Sequence, residues 1–186
     1  MQSTDDTRAD IALLERIVAR DERAVAELYD AHSRLLYGLI LRIVRDRSEA
    51  EEVLQEVFVQ VWTRAETYNV GLGSPAAWLV RIARNRAIDR LRANNVRLRA
   101  VESAPLPEAA VSPETQAALS EQQRAVARAL DALPADQRML IEQAYFTGLT
   151  QSELADRFGL PLGTVKTRIR AGMIALRQQL SQMTEQ

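Results

Sequence analysis

The sequence predicts an all-α protein: two small helical domains joined by a linker, the second containing a helix-turn-helix. Three observations predict it. Apolar residues recur about every 3.6 residues through long segments, and only 7 glycines interrupt 186 residues. Helix start signals recur as well, among them Ser74-Pro75 and the T-x-x-E box at Thr150 and Glu153. Periodicity fades across residues 94–112, where Pro105 and Pro107 lie. The expected division is therefore a first domain at 1–93, a linker at 94–112 and a second domain at 113–186.

Composition narrows the function. The chain is 47% hydrophobic and 26% charged, as expected for a soluble globular protein. It has no cysteine, which excludes a disulfide framework, a thiol nucleophile and a cysteine-based zinc site. The opening MQSTDDTRAD has no apolar signal core, and no apolar run is long enough to span a membrane, so a cytoplasmic protein without direct membrane insertion is expected. No metal-ligand cluster, nucleophile–base pair or nucleotide loop stands out. The expectation is a protein that is not an enzyme, with no cofactor, no metal and no small-molecule substrate.

Charge is patterned beneath a net value of −1. Residues 1–66 carry fourteen acids and nine bases. Residues 81–99 carry seven arginines against Asp89 alone, and 100–160 are acidic again. Residues 161–180 hold Lys166, Arg168, Arg170 and Arg177 with no acid. Two basic patches alternating with acidic regions favour two nucleic-acid contacts and at least one protein contact over a uniform basic coat.

Taken in order, residues 10–19 read as a short amphipathic helix through Ile11, Leu14, Ile17 and Val18. Asp21 caps a second helix over 22–44, with Val25, Leu28, Tyr29, Leu35, Leu36, Leu39, Ile40 and Ile43 as core candidates. His32, the only histidine, has no partner cluster and reads as a surface or boundary side chain. Ser48 and Glu51 form a capping box for a third helix. Its apolar face is Val53, Leu54, Val57, Phe58, Val61 and Trp62, and its other faces carry Glu49, Glu52, Gln55, Glu56 and Gln60. That acidic side is either a solvated flank or a docking face for a basic partner.

The loop NVGLGS, residues 69–74, lacks the Lys-Ser/Thr of a phosphate-binding loop. Ser74 then caps a long helix with Pro75 at its first position. Trp78, Leu79, Ile82, Ala83, Ile88 and Leu91 can pack inward, while Arg81, Arg84, Asn85, Arg86, Asp89, Arg90 and Arg92 can face outward. Arginines beside amide side chains, after a loop bearing Tyr68 and Asn69, suit a DNA backbone and unpaired bases.

Beyond the linker, Ser112-Pro113-Glu114 starts a helix that runs to about Asp131. Leu133-Pro134 opens the next, over 135–146. Thr150 and Glu153 then start a short helix whose apolar face is Leu154, Ala155 and Phe158. Gly159 suits the left-handed position that ends it, and Pro161 suits the first turn of the next. In that last helix Val165, Ile169, Gly172, Met173, Leu176 and Leu180 share one side. Thr164, Lys166, Thr167, Arg170 and Ala171 share the other. This is a helix-turn-helix with a basic second helix suited to a major groove.

Three of these stretches together resemble the extracytoplasmic function (ECF) sigma factors of bacterial RNA polymerase, members of the sigma-70 family. SEAEEVLQEVFVQVW, residues 48–62, resembles the helix that grips the clamp helices of the polymerase's largest subunit. SPAAWLVRIARNRAIDRLR, residues 74–92, resembles the helix that reads and melts the −10 element. Residues 133–177 resemble the domain that reads the −35 element and meets the flap region.

The resemblance implies roles. Glu49, Glu52, Gln55, Glu56 and Phe58 would contact core polymerase. Tyr68 and Asn69 would capture a flipped-out base, with Arg81, Arg84, Asn85, Arg86, Asp89 and Arg92 along the melted −10 DNA. Asp89, an acid in a phosphate-facing helix, is expected to pair with Arg86 or Arg92. Thr164, Lys166, Thr167, Arg168, Arg170 and Ala171 would meet double-stranded −35 DNA. Many relatives carry Arg at the positions of Ala171 and Met173. Here Ala171 offers only a methyl group and Met173 is expected to join the core.

Also implied is an anti-sigma factor that occludes these surfaces until a stress signal arrives and, where membrane-anchored, holds the protein at the inner membrane face. Two other readings stay open on the residues alone. One is a stand-alone helix-turn-helix regulator with a helical N-terminal interaction domain. The other is a helical adaptor that never touches DNA.

Overall fold

The computed structural model describes residues 2–99 and 121–184, and within these only helices, 3-10 turns and connecting loops occur. Eight α-helices follow in order: α1 (Gln2–Val18), α2 (Glu22–Val44), α3 (Arg47–Arg64), α4 (Pro75–Arg99), α5 (Glu121–Asp131), α6 (Ala135–Phe146), α7 (Gln151–Phe158) and α8 (Leu162–Thr184). Two 3-10 turns, Ala65–Thr67 and Val70–Leu72, join α3 to α4. The chain divides into two compact units, Met1–Ala109 and Ala110–Gln186.

In the first unit, α2, α3 and α4 pack on one another and α1 covers α2. The buried stripe of α2 is Ala24, Leu28, Leu36, Ile40 and Ile43. Val53, Val57 and Val61 of α3 and Leu79, Ala83 and Ala87 of α4 meet it, with Leu14 and Ile17 of α1 behind. Each fully buried Leu or Ile contributes about 1.5–3 kcal/mol relative to exposure. Tyr29 and Leu35, expected in the core, lie on its margin and are exposed. Ala24, which was not among the expected core residues, is fully buried.

Several boundaries follow the caps. The Asp21 side chain accepts from the Arg23 N–H and opens α2 where expected. Arg16 bonds Asp21 and Glu27 at 2.9 Å each, which ties the α1–α2 corner and holds the Asp21 carboxyl below the usual carboxylate range. At α3 the Ser48–Glu51 capping box is corrected. Asp46 is the N-cap, accepting from the Glu49 N–H at 2.9 Å, so the helix begins one residue before Ser48. An ionised carboxylate outcompetes a hydroxyl as a cap acceptor at the positive end of a helix. Helix α1 also starts well before Asp10. Helix α4 continues through residues 94–99, read from the sequence as the start of the linker. The signal at Ser112-Pro113-Glu114 lies outside the described residues.

His32 is not the lone side chain its sequence context suggests. Its Nε2 lies 2.9 Å from Asp10 Oδ2, both side chains largely buried, and the pair pins α1 to α2. Asp10 is the one buried polar residue of the described chain.

In the second unit, α7 and α8 form the helix-turn-helix on a platform of α5 and α6. The Thr150–Glu153 capping box is complete, with Thr150 N–H donating to Glu153 Oε2 at 2.7 Å and Glu153 N–H to Thr150 Oγ1 at 3.2 Å. Gly159 ends α7 at φ 62°, a left-handed conformation that costs glycine nothing. Pro161 stands one place earlier than expected: its carbonyl accepts from Thr164 and Val165, so it caps α8, which begins at Leu162. Leu140, Leu154, Ala155 and Val165 form one core cluster, and Ala129, Leu133 and Leu176 another.

Gly172 lets α8 cross α6 closely, since a β-carbon there would come 2.6 Å from Ile141 Cδ1. Met173, expected in the core, is 53% exposed. It follows Gly172 by one residue and so falls at the edge of the Val165–Leu176 stripe, where the neighbouring helices do not reach.

Candidate nucleic-acid interface

The loop between α3 and α4 is built by its own hydrogen bonds. Asn69 Oδ1 accepts from the Gly71 N–H at 2.8 Å, an Asx turn that shapes the second 3-10 turn. Tyr68 Oη donates to the Gly73 carbonyl at 2.9 Å and closes the loop. Gly73 sits at φ 136°, which L side chains rarely adopt. Ser74 Oγ then accepts from the Ala77 N–H at 3.3 Å and caps α4. The Tyr68 ring meets Trp78 edge-on, with centroids 5.8 Å apart. Burial, and secondarily the Asp10 charge, push the Tyr68 phenol up, so it remains a neutral donor.

Two openings adjoin this loop. The smaller, about 80 Å³, is walled by Tyr68, Asn69, Leu72, Gly73, Ser74, Ala77, Trp78 and Arg81. The larger, about 470 Å³, is lined by Gln60, Arg64, Thr67, Trp78, Arg81, Ile82, Asn85, Arg86 and Asp89. Trp78 and Arg81 belong to both. The fold thus gathers Tyr68, Asn69, Arg81, Asn85, Arg86 and Asp89 on one surface, with cations at the rim and an indole on the floor. Such a surface can hold phosphates and stack unpaired bases.

Gln60, Arg64 and Thr67 were not singled out from the sequence as part of this surface. The first two lie one turn apart at the end of α3, and only the antiparallel approach of α4 reveals them. Asp89 lines the larger opening and does not pair with Arg86 among the described residues. Arg86 Nε instead donates to Gln60 Oε1 at 2.8 Å, which turns the guanidinium toward α3. Arg84 and Arg92 lie on the same helix, Arg84 half-buried and Arg92 exposed.

The acidic side of α3 is not purely solvated. Arg90 Nη1 bonds Glu52 Oε2 at 2.9 Å and Arg90 Nη2 bonds Glu56 Oε1 at 2.7 Å, with Glu49 Oε2 at 3.8 Å. These bonds push the Arg90 pKa up. Asn94 Nδ2 donates to Glu49 Oε2 at 2.7 Å. Gln55 is exposed beside them, as is Val59. Phe58 is turned the other way. Only 6% exposed, its ring packs tilted against Tyr29 with centroids 4.8 Å apart, so it supports this face from inside rather than lying on it.

In the second unit, Lys166, Thr167, Arg170 and Ala171 are exposed on the outer face of α8 and Thr164 is half-buried. Thr167 Oγ1 donates to the Gly163 carbonyl at 2.8 Å. Lys166 and Arg170 make no ion pair among the described residues. Arg168 differs: its Nε lies 3.0 Å from Asp136 Oδ2, so it clips α8 to α6. Among the described residues, no cluster of three or more His, Asp or Glu could hold a metal ion, and no helix is long and apolar enough to cross a membrane.

Two helical units, one with a basic groove beside an acidic ridge and one with a helix-turn-helix, define a class that the family models identify. Sigma-70 region 2 matches residues 28–97, and sigma-70 region 4 matches residues 129–178. The ECF RNA polymerase sigma factor SigK of Mycolicibacterium vanbaalenii is 39% identical, covering 91% of this chain and 88% of the relative. SigK of Mycobacterium tuberculosis H37Rv is 37% identical, covering 91% and 92%. The crystal structure of Rhodobacter sphaeroides SigE in complex with the anti-sigma ChrR is similar at 35% identity and TM-score 0.49, covering 92% of this chain and 98% of that one. The chain belongs to the ECF sigma factor family, the transcription initiation factors that it resembles by sequence.

Proposed function

We propose that this sigma factor places core RNA polymerase at a two-element promoter and holds the melted −10 strand, without catalysing a reaction itself. Family membership over both units carries this reading, and the groove beside Trp78 gives it a physical basis. Glu49, Glu52, Gln55 and Glu56 face the clamp helices, with Phe58 as their internal support. The Tyr68–Gly73 loop and the small opening behind it take a base that has left the stack. Arg81, Arg84, Asn85, Arg86, Asp89 and Arg92 follow the adjoining single strand. A pocket that admits only an unstacked base stabilises open DNA by binding energy alone.

At the −35 element Lys166, Thr167, Arg170 and Ala171 enter the major groove of the duplex, beside the flap. Lys166 and Arg170 suit guanine edges or phosphates, and Ala171 suits a thymine methyl. Arg168, clipped to Asp136, orients the helix and reaches DNA only at the backbone. The division into two compact units lets each address a separate element. An anti-sigma factor, of the kind bound to Rhodobacter sphaeroides SigE, covers these surfaces in the cytoplasm or at the inner membrane face.

Run-off transcription tests the reading. Core RNA polymerase lacking sigma is given fragmented genomic DNA from the source organism, with and without this protein. Discrete start sites that need the protein, sharing two aligned upstream elements, are expected. No such starts, together with no co-migration with core polymerase, would return the protein to the class of stand-alone regulators.

A further inference from the structure

A row of polar bonds runs along one edge of the antiparallel α3–α4 pair. Gln60 meets Arg86, Glu56 and Glu52 meet Arg90, and Glu49 meets Asn94. Residues 86, 90 and 94 rise by one turn along α4 as their partners descend α3. Arg90 is the centre of this row. Its side chain is only 22% exposed, while Glu52 and Glu56 remain 61% and 44% exposed. The cation is tucked beneath the carboxylates it holds.

We propose that Arg90 is a positioning residue for polymerase docking: it holds Glu52 and Glu56 in the rotamers that the partner meets. This inference rests on the docking reading of the acidic face given above. The planar guanidinium suits the task. One nitrogen goes to each carboxylate, and each carboxylate keeps its second oxygen for a partner cation. Ordering a rotamer-rich side chain on binding weakens affinity, so carboxylates already ordered in the unbound chain bind better. The Glu49–Asn94 bond extends the same restraint one turn further.

The alternative account makes the opposite prediction. If the face acted by charge alone, Arg90 would subtract from its attraction for a basic partner. Removing the guanidinium would then tighten binding. If Arg90 positions the carboxylates, removing it loosens binding although the face becomes more negative.

The test measures the affinity of the full chain for core RNA polymerase in the absence of DNA, with thermal melting of each variant alongside. Arg90→Gln is expected to weaken binding by about tenfold, equivalent to ~1.4 kcal/mol. Arg90→Lys keeps the charge but not the fork, and is expected to lose several-fold. In a Glu52→Gln, Glu56→Gln background, Arg90→Gln should cost nothing more, since its targets are already altered. Unchanged or tighter binding by Arg90→Gln, or full affinity in Arg90→Lys, overturns the proposal. Glu52→Arg with Glu56→Arg serves as the control on the docking reading. If that variant still binds core polymerase normally, the face itself is misassigned, and the failure does not lie with Arg90.

Discussion

Helices α4 and α8 are both arginine-rich and both proposed to meet DNA, yet they carry their cations differently. On α4, Arg86 and Arg90 are bonded back to Gln60, Glu52 and Glu56 of α3. The adjoining face of α4 buries Leu79, Ala83 and Ala87. On α8, Lys166 and Arg170 project outward, while Arg168 is clipped inward, to Asp136. The contrast fits two tasks. A helix that holds single-stranded DNA must keep its own shape while the nucleic acid changes, so its cations are braced. A helix that docks into an already regular duplex needs less bracing and leaves its side chains to adapt.

The largest expected effect separates the two helices by stability. Leu79→Ala should cost the first unit about 2–5 kcal/mol, because a fully buried side chain leaves a cavity against α2 and α3. Leu176→Ala on α8, at the rim of a smaller cluster, should fall at the bottom of that range. Thermal melting of the two variants checks it, and equal losses would erase the distinction. Gly172→Leu probes the α8 platform from the other direction. Overpacking against Ile141 should cost about 1–3 kcal/mol and lower −35 affinity with it.

Cation removal sharpens the comparison further. Arg170→Ala should cost about 1–3 kcal/mol of binding at a cognate −35 duplex if it reads a base, with melting unchanged. A loss equal on all sequences, with the salt slope reduced by about one, would assign it to phosphate. Arg86→Ala should instead lower both melting temperature and affinity for single-stranded −10 DNA, since it is braced by Gln60. The smallest effect expected is that of Thr150→Ala, which removes one half of the α7 capping box and should cost about 1 kcal/mol.

Much of the fold was legible because helix ends are local chemistry. The Thr150–Glu153 box, Gly159, Asp21 and Ser74-Pro75 each act within a few residues; α7 begins and ends, and α2 and α4 begin, where those signals place them. Where two caps competed, at Asp46 and Ser48, the charged one won. Met173 was misread because periodicity gives a direction but not how far a neighbouring helix extends. The pairs that matter most to the site lay beyond sequence reading. Asp10 with His32, and Arg90 with Glu52 and Glu56, are joined across 22 to 38 residues, and only packing brings them together. Gln60 and Arg64 were hidden for the same reason, as polar residues on a helix whose neighbour was not yet known.

Gly172 has a practical consequence for rewriting promoter choice. Where α8 crosses α6 an added methyl group would force Ile141 to shift, whereas Lys166, Thr167, Arg170 and Ala171 are exposed away from that crossing. A combinatorial library can therefore vary those four positions while leaving 172 untouched. New −35 preferences could be selected without rebuilding the scaffold, and orthogonal variants could share one cell and one polymerase.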